Sequence, residues 1–331
     1  MLGRLDRRWS GGRLEGVARP AVPSLELLAN AKVNLFLEVL GRRPDGFHEI
    51  RSWMVPLSLA DRLIVSPGGR GFSLEVPGAP ALETDDNLVL RAARAFQGRF
   101  GAPSGARLRL WKRIPVAAGL GGGSSDAAAT LRALASHLGL RDHAALLELG
   151  AALGSDVPFF LGRGPALVGG RGERLEPAPP CPPLFLVVAK PPFGISAADA
   201  YRALGLPAAR GSAAPPPAAR LTPPLADANW SKELRRRARS ARSGRRVGRL
   251  LVNDLQAGAV RMRPELSALL QRLSALSPLG AAMAGSGSCC FGLFPSAASA
   301  RGALAGLRGI DLEAAFVTRT QRGFSRVRRL D

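Results

Sequence analysis

Tyrosine occurs once in this chain of 331 residues, at Tyr201, and all aromatic residues together make up 5% of it. So sparse a set of flat side chains excludes the modules that read single-stranded RNA by stacking bases on repeated aromatics. Cysteine is nearly as scarce. Cys181, Cys289 and Cys290 form no Cys-x-x-Cys pair, which excludes a cysteine-based zinc site and a disulfide-stapled secreted scaffold, and the expected setting is the reducing cytoplasm. No run approaches the roughly eighteen apolar residues of a membrane helix, so no membrane partner is expected. Acids are short too: 25 against 46 lysines and arginines, for a net charge of +21. The excess gathers at the two ends and between Ser231 and Leu250, where Lys232 and eight arginines face Glu233 alone with no aromatic among them. That pattern reads as a solvated, arginine-biased surface rather than a nucleic-acid interface.

Apolar residues are plentiful at 46%, alongside 39 glycines and 27 prolines, as in a globular enzyme with many loops. The length favours two domains. A basic tail is expected over residues 1–24, an N-terminal domain over 25–178 and a C-terminal domain over 179–331, divided at the proline cluster Pro177–Pro183. An Ala/Pro-rich and then basic stretch, 208–250, reads as a partly loose insertion. From Leu27 to Leu40 apolar and polar residues alternate, so one strand presents Val33, Leu35, Leu37 and Val39 on one face and Lys32, Asn34, Phe36 and Glu38 on the other. Strand-like pieces run from Trp53 to Val65 with a break near Asp61. Asp86 and Asn87 precede Leu88 as in a capped amphipathic helix, and residues 107–112 form a short strand. Helices follow from about Ser125 to Leu138 and on through Leu149. The second half reads as α+β, with strands over 184–189, 289–294 and 314–318 and helices over 252–260, 264–276 and 296–307.

The segment Pro115-Val116-Ala117-Ala118-Gly119-Leu120-Gly121-Gly122-Gly123-Ser124-Ser125 packs four glycines and two hydroxyls before an alanine-rich helix. Glycines let successive N–H groups turn toward an anion, and the helix start adds free donors and the positive end of its dipole. The expected ligand is a nucleoside triphosphate. The loop is neither a Walker A sequence nor a dinucleotide-binding fingerprint. Phosphoryl transfer needs the triphosphate held, its charge neutralised and an acceptor hydroxyl aimed and deprotonated. Lys32 and Asn34 on one strand face, this loop, and Asp156 at the turn Leu153-Gly154-Ser155-Asp156-Val157-Pro158 could supply those parts. Each has a plainer reading as well: a strand-edge lysine, a hydrogen-bonding asparagine, a helix cap.

The segments Ala31–Leu35, Pro115–Ala127 and Ala284-Gly285-Ser286-Gly287-Ser288 resemble the three motifs of the GHMP kinases, a family that includes galactokinase, homoserine kinase and mevalonate kinase. More narrowly, Pro44-Asp45-Gly46-Phe47-His48-Glu49-Ile50 and Leu153–Phe159 resemble the kinases that phosphorylate the 2-hydroxyl of 4-diphosphocytidyl-2-C-methyl-D-erythritol. The resemblance implies a two-domain α/β (α+β) fold, with an N-terminal domain like domain 2 of ribosomal protein S5 and a ferredoxin-like C-terminal domain. It implies ATP as phosphoryl donor with Mg2+, and a small-molecule partner carrying a cytidine diphosphate group. Asp156 would be the general base, with Lys32 orienting the hydroxyl and steadying charge. Asn34, Gly285, Ser286 and Gly287 would bind substrate. Phe47 and His48 would meet the cytosine, clamped from the other side by Tyr201. Asn87 would lie near the adenine, and Ser124 or Ser125 would reach the metal. Two other readings stay open: a homoserine- or mevalonate-type kinase, and a basic nucleic-acid-binding protein.

Overall fold

Pro56 has no N–H to give a neighbouring strand, and the fold is built around the gap it leaves. In this computed structural model, which describes residues 23–206, 230–241 and 243–330, strands β1 (Ser24–Arg42) and β2 (His48–Pro67) form a long antiparallel pair. The ladder slips between Asn30 and Lys32, bringing Lys32 opposite Pro56. A proline within a sheet removes a ladder bond. Lys32 N–H instead donates to Leu120 O at 3.0 Å, and Pro56 O accepts from Gln321 N at 2.8 Å. The glycine loop is thereby docked on β1.

Two sequence expectations change here. The ladder slips again between Asn34 and Phe36, and Phe36, expected beside Lys32, packs into the same core as Val33 and Leu35. Strand β2 also runs unbroken through Asp61, which is fully buried.

Strands β3 (Gly71–Glu75) and β4 (Gly105–Trp111) pair in parallel. Between them lies α1 (Leu88–Phe100), capped by Asn87, whose Oδ1 accepts from Val89 N at 2.9 Å. Then come α2 (Gly122–Leu138), α3 (His143–Leu153), α4 (Val157–Leu161), β5 (Ala166–Gly169) and β6 (Arg174–Pro177). The apolar faces of the helices, through Val89, Phe96, Leu131 and Leu134, bury against Leu25, Leu27, Leu63 and Leu108 of the sheet.

The second half contains β7 (Phe185–Lys190), α5 (Ala197–Arg202), α6 (Trp230–Ser240), α7 (Gly244–Gly248), β8 (Val252–Asn253), α8 (Leu255–Met262) and α9 (Glu265–Ala275). It continues with β9 (Gly280–Met283), which the sequence reading missed, then β10 (Cys290–Phe294), α10 (Ala297–Ala305), β11 (Ala314–Arg319) and β12 (Arg328–Leu330). Strands β11-β7-β10-β9 form an antiparallel sheet in that order. The fourth, first, third and second strands of the unit thus lie side by side, a ferredoxin-like arrangement.

Residues 1–22 and 207–229, covering most of the expected tail and the Ala/Pro-rich stretch, lie outside the described residues. The basic run beyond them is a correction. Residues 230–240 and 244–248 are helical, and Leu234, Ala238, Ala241 and Val247 are buried against Val33, Trp53 and Phe291. Apolar residues spaced four and three apart make one buried stripe of a helix whose other faces carry the arginines.

Strand β12 pairs with β1 at Ser24–Leu330 and β8 pairs with it at Phe36–Val252. Backbone hydrogen bonding therefore crosses the expected division at residues 178/179.

Candidate active site

Lys32 and Asn34 do share a face of β1. Lys32 Nζ donates to Asn34 Oδ1 at 2.9 Å and lies 3.3 Å from Asp156 Oδ2. Asp156 occupies the N-cap position of α4, but its side chain makes no capping bond. The plain reading of Asp156 as a helix cap is therefore wrong, and its carboxylate is turned to the ammonium. Lys32 is 4% exposed, which strengthens the attraction to both partners relative to a surface pair.

The glycine loop reaches these groups through left-handed backbone at Gly119 (φ 73°), Gly121 (φ 74°) and even Ala117 (φ 50°). A non-glycine residue held there costs on the order of 1 kcal/mol or more and is found where surrounding structure requires it. No side chain caps α2, so the donors of its first turn remain for a ligand. A Cβ on Gly121 would come within 2.8 Å of the Phe160 ring and 3.1 Å of Lys32 Cγ. The third motif presses on the loop from the other side: Ser288 N donates to Ala117 O and Cys289 N to Ala118 O, at 3.4 and 3.3 Å. Asn253 holds this motif in place, donating Nδ2 to both Met283 O and Gly285 O at 2.8 Å.

A cleft of about 1090 Å³ runs over these groups. Lys32, Asn34, Asn87, Pro115, Val116, Ala117, Ala118, Gly119, Leu120, Gly121, Gly122, Gly123 and Ser124 line it, as do Asp156, Phe47, His48, Tyr201, Gly285 and Ser286. Two expected residues do not. Ser125 is buried in α2, where helical packing covers it, leaving Ser124 as the accessible hydroxyl of the pair. Gly287 is buried, and a Cβ on it would meet Met283 and Ile195.

At the far end the expected aromatic residues converge, with a difference. The rings of His48 and Tyr201 are stacked on one another, their centroids 4.7 Å apart. A base held between two rings would separate them by about 7 Å, so this pair does not itself form a clamp. Phe47 is 45% exposed and carries the Arg171 guanidinium 4.5 Å above its ring. Burial, and then the nearby charge of Arg42, hold the His48 pKa below its ordinary value. Burial, with Asp156 adding to it, pushes the Tyr201 phenol up.

Beneath the loop lies a cluster that sequence reasoning missed. Lys112 Nζ bridges Asp61 and Asp126, at 2.7 Å from Asp126 Oδ2. Asp61 also accepts from the backbone N–H groups of Arg113 and Ile114, fixing the corner where β4 enters the loop. Burial works against the charge on Lys112, but Asp126 and Asp61 outweigh it and raise its pKa. Burial, opposed by Lys112 and reinforced by Asp61, pushes the Asp126 carboxyl up to about 7. Asp126 Oδ1 is buried with no hydrogen-bond partner, and the residue borders the cleft.

Residues 87–164 match the model of the GHMP kinases N-terminal domain and residues 232–309 that of the GHMP kinases C-terminal domain. The 4-diphosphocytidyl-2-C-methyl-D-erythritol kinase of Anaeromyxobacter dehalogenans is 48% identical over 290 residues, spanning 86% of this chain and 85% of that one. This chain belongs to that kinase family. The enzyme of the same name from Pelotomaculum thermopropionicum is 46% identical over 88% of this chain and 96% of its own. A crystal structure of a 4-(cytidine 5'-diphospho)-2C-methyl-D-erythritol kinase superposes with a TM-score of 0.71 at 38% identity, covering 90% of this chain and all of the other. The kinase therefore takes ATP as phosphoryl donor. Among the described residues no helix is long and apolar enough to cross a membrane.

Proposed function

We propose that this kinase transfers the γ-phosphoryl group of ATP to the 2-hydroxyl of 4-diphosphocytidyl-2-C-methyl-D-erythritol. The observation that carries the reading is the contact of Lys32 Nζ with Asp156 Oδ2, 3.3 Å apart in a cleft walled by the glycine loop. Asp156 accepts the hydroxyl proton as the oxygen attacks phosphorus. Lys32 holds that carboxylate and balances negative charge on the transferring group, and Asn34 holds Lys32. Gly119–Ser124 and the start of α2 receive the phosphates through backbone donors. Asn87 lies on the adenine side, and the His48–Tyr201 stack and Phe47 offer aromatic faces to the cytosine. Arg171, beside Phe47, adds positive charge where a cytidine diphosphate would lie.

Magnesium fits the donors present. Among the described residues no group of three or more His, Cys, Asp or Glu side chains could hold a metal, so phosphates and water would complete the ion's shell. Ser124, open to the cleft, and the unpartnered Asp126 Oδ1 would hold it. When bound, it neutralises phosphate charge.

ATP consumption measured with 4-diphosphocytidyl-2-C-methyl-D-erythritol, homoserine and mevalonate tests the reading. Turnover with the first acceptor alone is expected; turnover only with either of the others overturns it. Salt-sensitive binding of polyanions follows from the charge of +21 under either reading, so the nucleic-acid alternative is marked instead by the absence of ATP turnover with every acceptor.

A further inference from the structure

We propose that Ser52 is a positioning residue that sets the orientation of the Asn34 amide, and through it the place of the Lys32 ammonium. The inference rests on the reading of Lys32 and Asp156 given above. Ser52 is fully buried and its backbone is fixed on both sides, paired with Leu37 of β1 and with Val168 of β5. A serine hydroxyl has one proton to give. Ser52 Oγ gives it to Phe36 O at 2.6 Å, at the point where the β1–β2 ladder slips. It has only lone pairs left to offer Asn34, and it accepts from Asn34 Nδ2 at 2.8 Å.

That commitment decides which way the amide faces. With Nδ2 held toward Ser52, Oδ1 points at Lys32 Nζ, 2.9 Å away. Rotated by half a turn, the amide would present its NH2 to an ammonium and its oxygen to a hydroxyl whose proton is already used, leaving both ends of the buried amide without partners. Hydrogen bonds thus run in one direction, from Lys32 to Asn34 to Ser52 to Phe36 O, and place the ammonium between an amide oxygen and the Asp156 carboxylate. Ser52 is fully buried and does not line the cleft.

The test is steady-state kinetics on Ser52→Ala, Ser52→Cys and Ser52→Thr, with circular dichroism and a melting curve on each. Cysteine fills the volume but accepts poorly; threonine keeps the hydroxyl. Ala and Cys should lower kcat by on the order of tenfold or more while KM for both substrates stays within about twofold, and Thr should bring kcat back. In an Asn34→Ala background, Ser52→Ala should cost nothing further, because the two side chains act in series. Full kcat in the Cys variant, or a Ser52→Ala loss that adds in full to that of Asn34→Ala, overturns the proposal. If Ser52→Ala does not fold, the Cys and Thr variants decide alone. Lys32→Met and Asp156→Asn are assayed beside them. If these two are inactive while the Cys variant is normal, only this proposal fails; if they turn over normally, the reading of the site fails with it.

Discussion

A Cβ placed on Gly119 would run into the carbonyl oxygen of Ala284. The glycine loop and the loop after β9 therefore meet backbone to backbone, and Gly119 also needs its left-handed φ of 73°. Gly119→Ala should destabilise the fold by more than about 2 kcal/mol and raise KM for ATP, because the two loops must part to admit the methyl. Gly98→Ala is the matching control: a Cβ there meets nothing within 4 Å inside α1, and the change should leave ATP binding alone and raise stability by roughly 0.5–1 kcal/mol. Urea unfolding and ATP titrations check both.

Asp156→Asn should lower kcat on the order of 10²-fold, about 2.7 kcal/mol of barrier, with ATP still bound. Asparagine keeps the shape beside Lys32 and removes the ability to take a proton. No capping bond at α4 is lost, so any loss of stability should come from the weaker pairing with Lys32 alone. Single-turnover kinetics with nucleotide binding measured in parallel gives the answer, and normal turnover would remove Asp156 from its role.

His48 provides a pH test. Burial first, and Arg42 second, lower its pKa, so the neutral ring stacked on Tyr201 persists below the ordinary value of about 6.5. Acceptor binding should stay flat as pH falls to about 6.5 and weaken only at lower pH, as the ring takes up its proton. Arg42→Gln removes a charge that disfavours that proton and should move the midpoint upward. The KM of the acceptor against pH, with a proton NMR titration of His48, follows both.

Lys112→Met should cost about 3–5 kcal/mol of stability, since it strands Asp61 and Asp126 in the interior without their shared counter-ion. Adding Asp61→Asn and Asp126→Asn to that variant should recover part of the loss. Urea midpoints on the single and triple variants measure it.

Much of the site was legible because it rests on local patterns. Alternation puts Lys32 and Asn34 on one face, a run of glycines ending in a helix makes an anion cradle, and Asp156 precedes Val157-Pro158 at a tight turn. What could not be read depends on which strands become neighbours. Ser52 matters only because its strand lies against Phe36 and Asn34. Asp61 looks like a strand break until Lys112 and the corner amides surround it. The slip at Leu35 carries Phe36 away from Lys32, and no periodicity announces a bulge. The arginine run looked loose by composition, although Leu234, Ala238 and Ala241 already had helical spacing. His48 and Tyr201 were expected on opposite sides of a base, and their direct stacking is a tertiary choice that no local pattern shows.

Strand β1 has one further consequence, for the order in which the protein can mature on the ribosome. Its middle bears Lys32, while its flanks are zipped to Val252–Asn253 and Arg328–Leu330, segments synthesised hundreds of residues later. Such distant pairings slow folding, since the intervening chain must be corralled before they can form. A nascent kinase that has exposed only its first 200 residues therefore owns every glycine of the central loop and the β2 partner of the lysine strand, but not β8 and β12 beside that strand nor the third motif that braces the loop. Competence for nucleotide should arrive in one late step, when the final strands emerge.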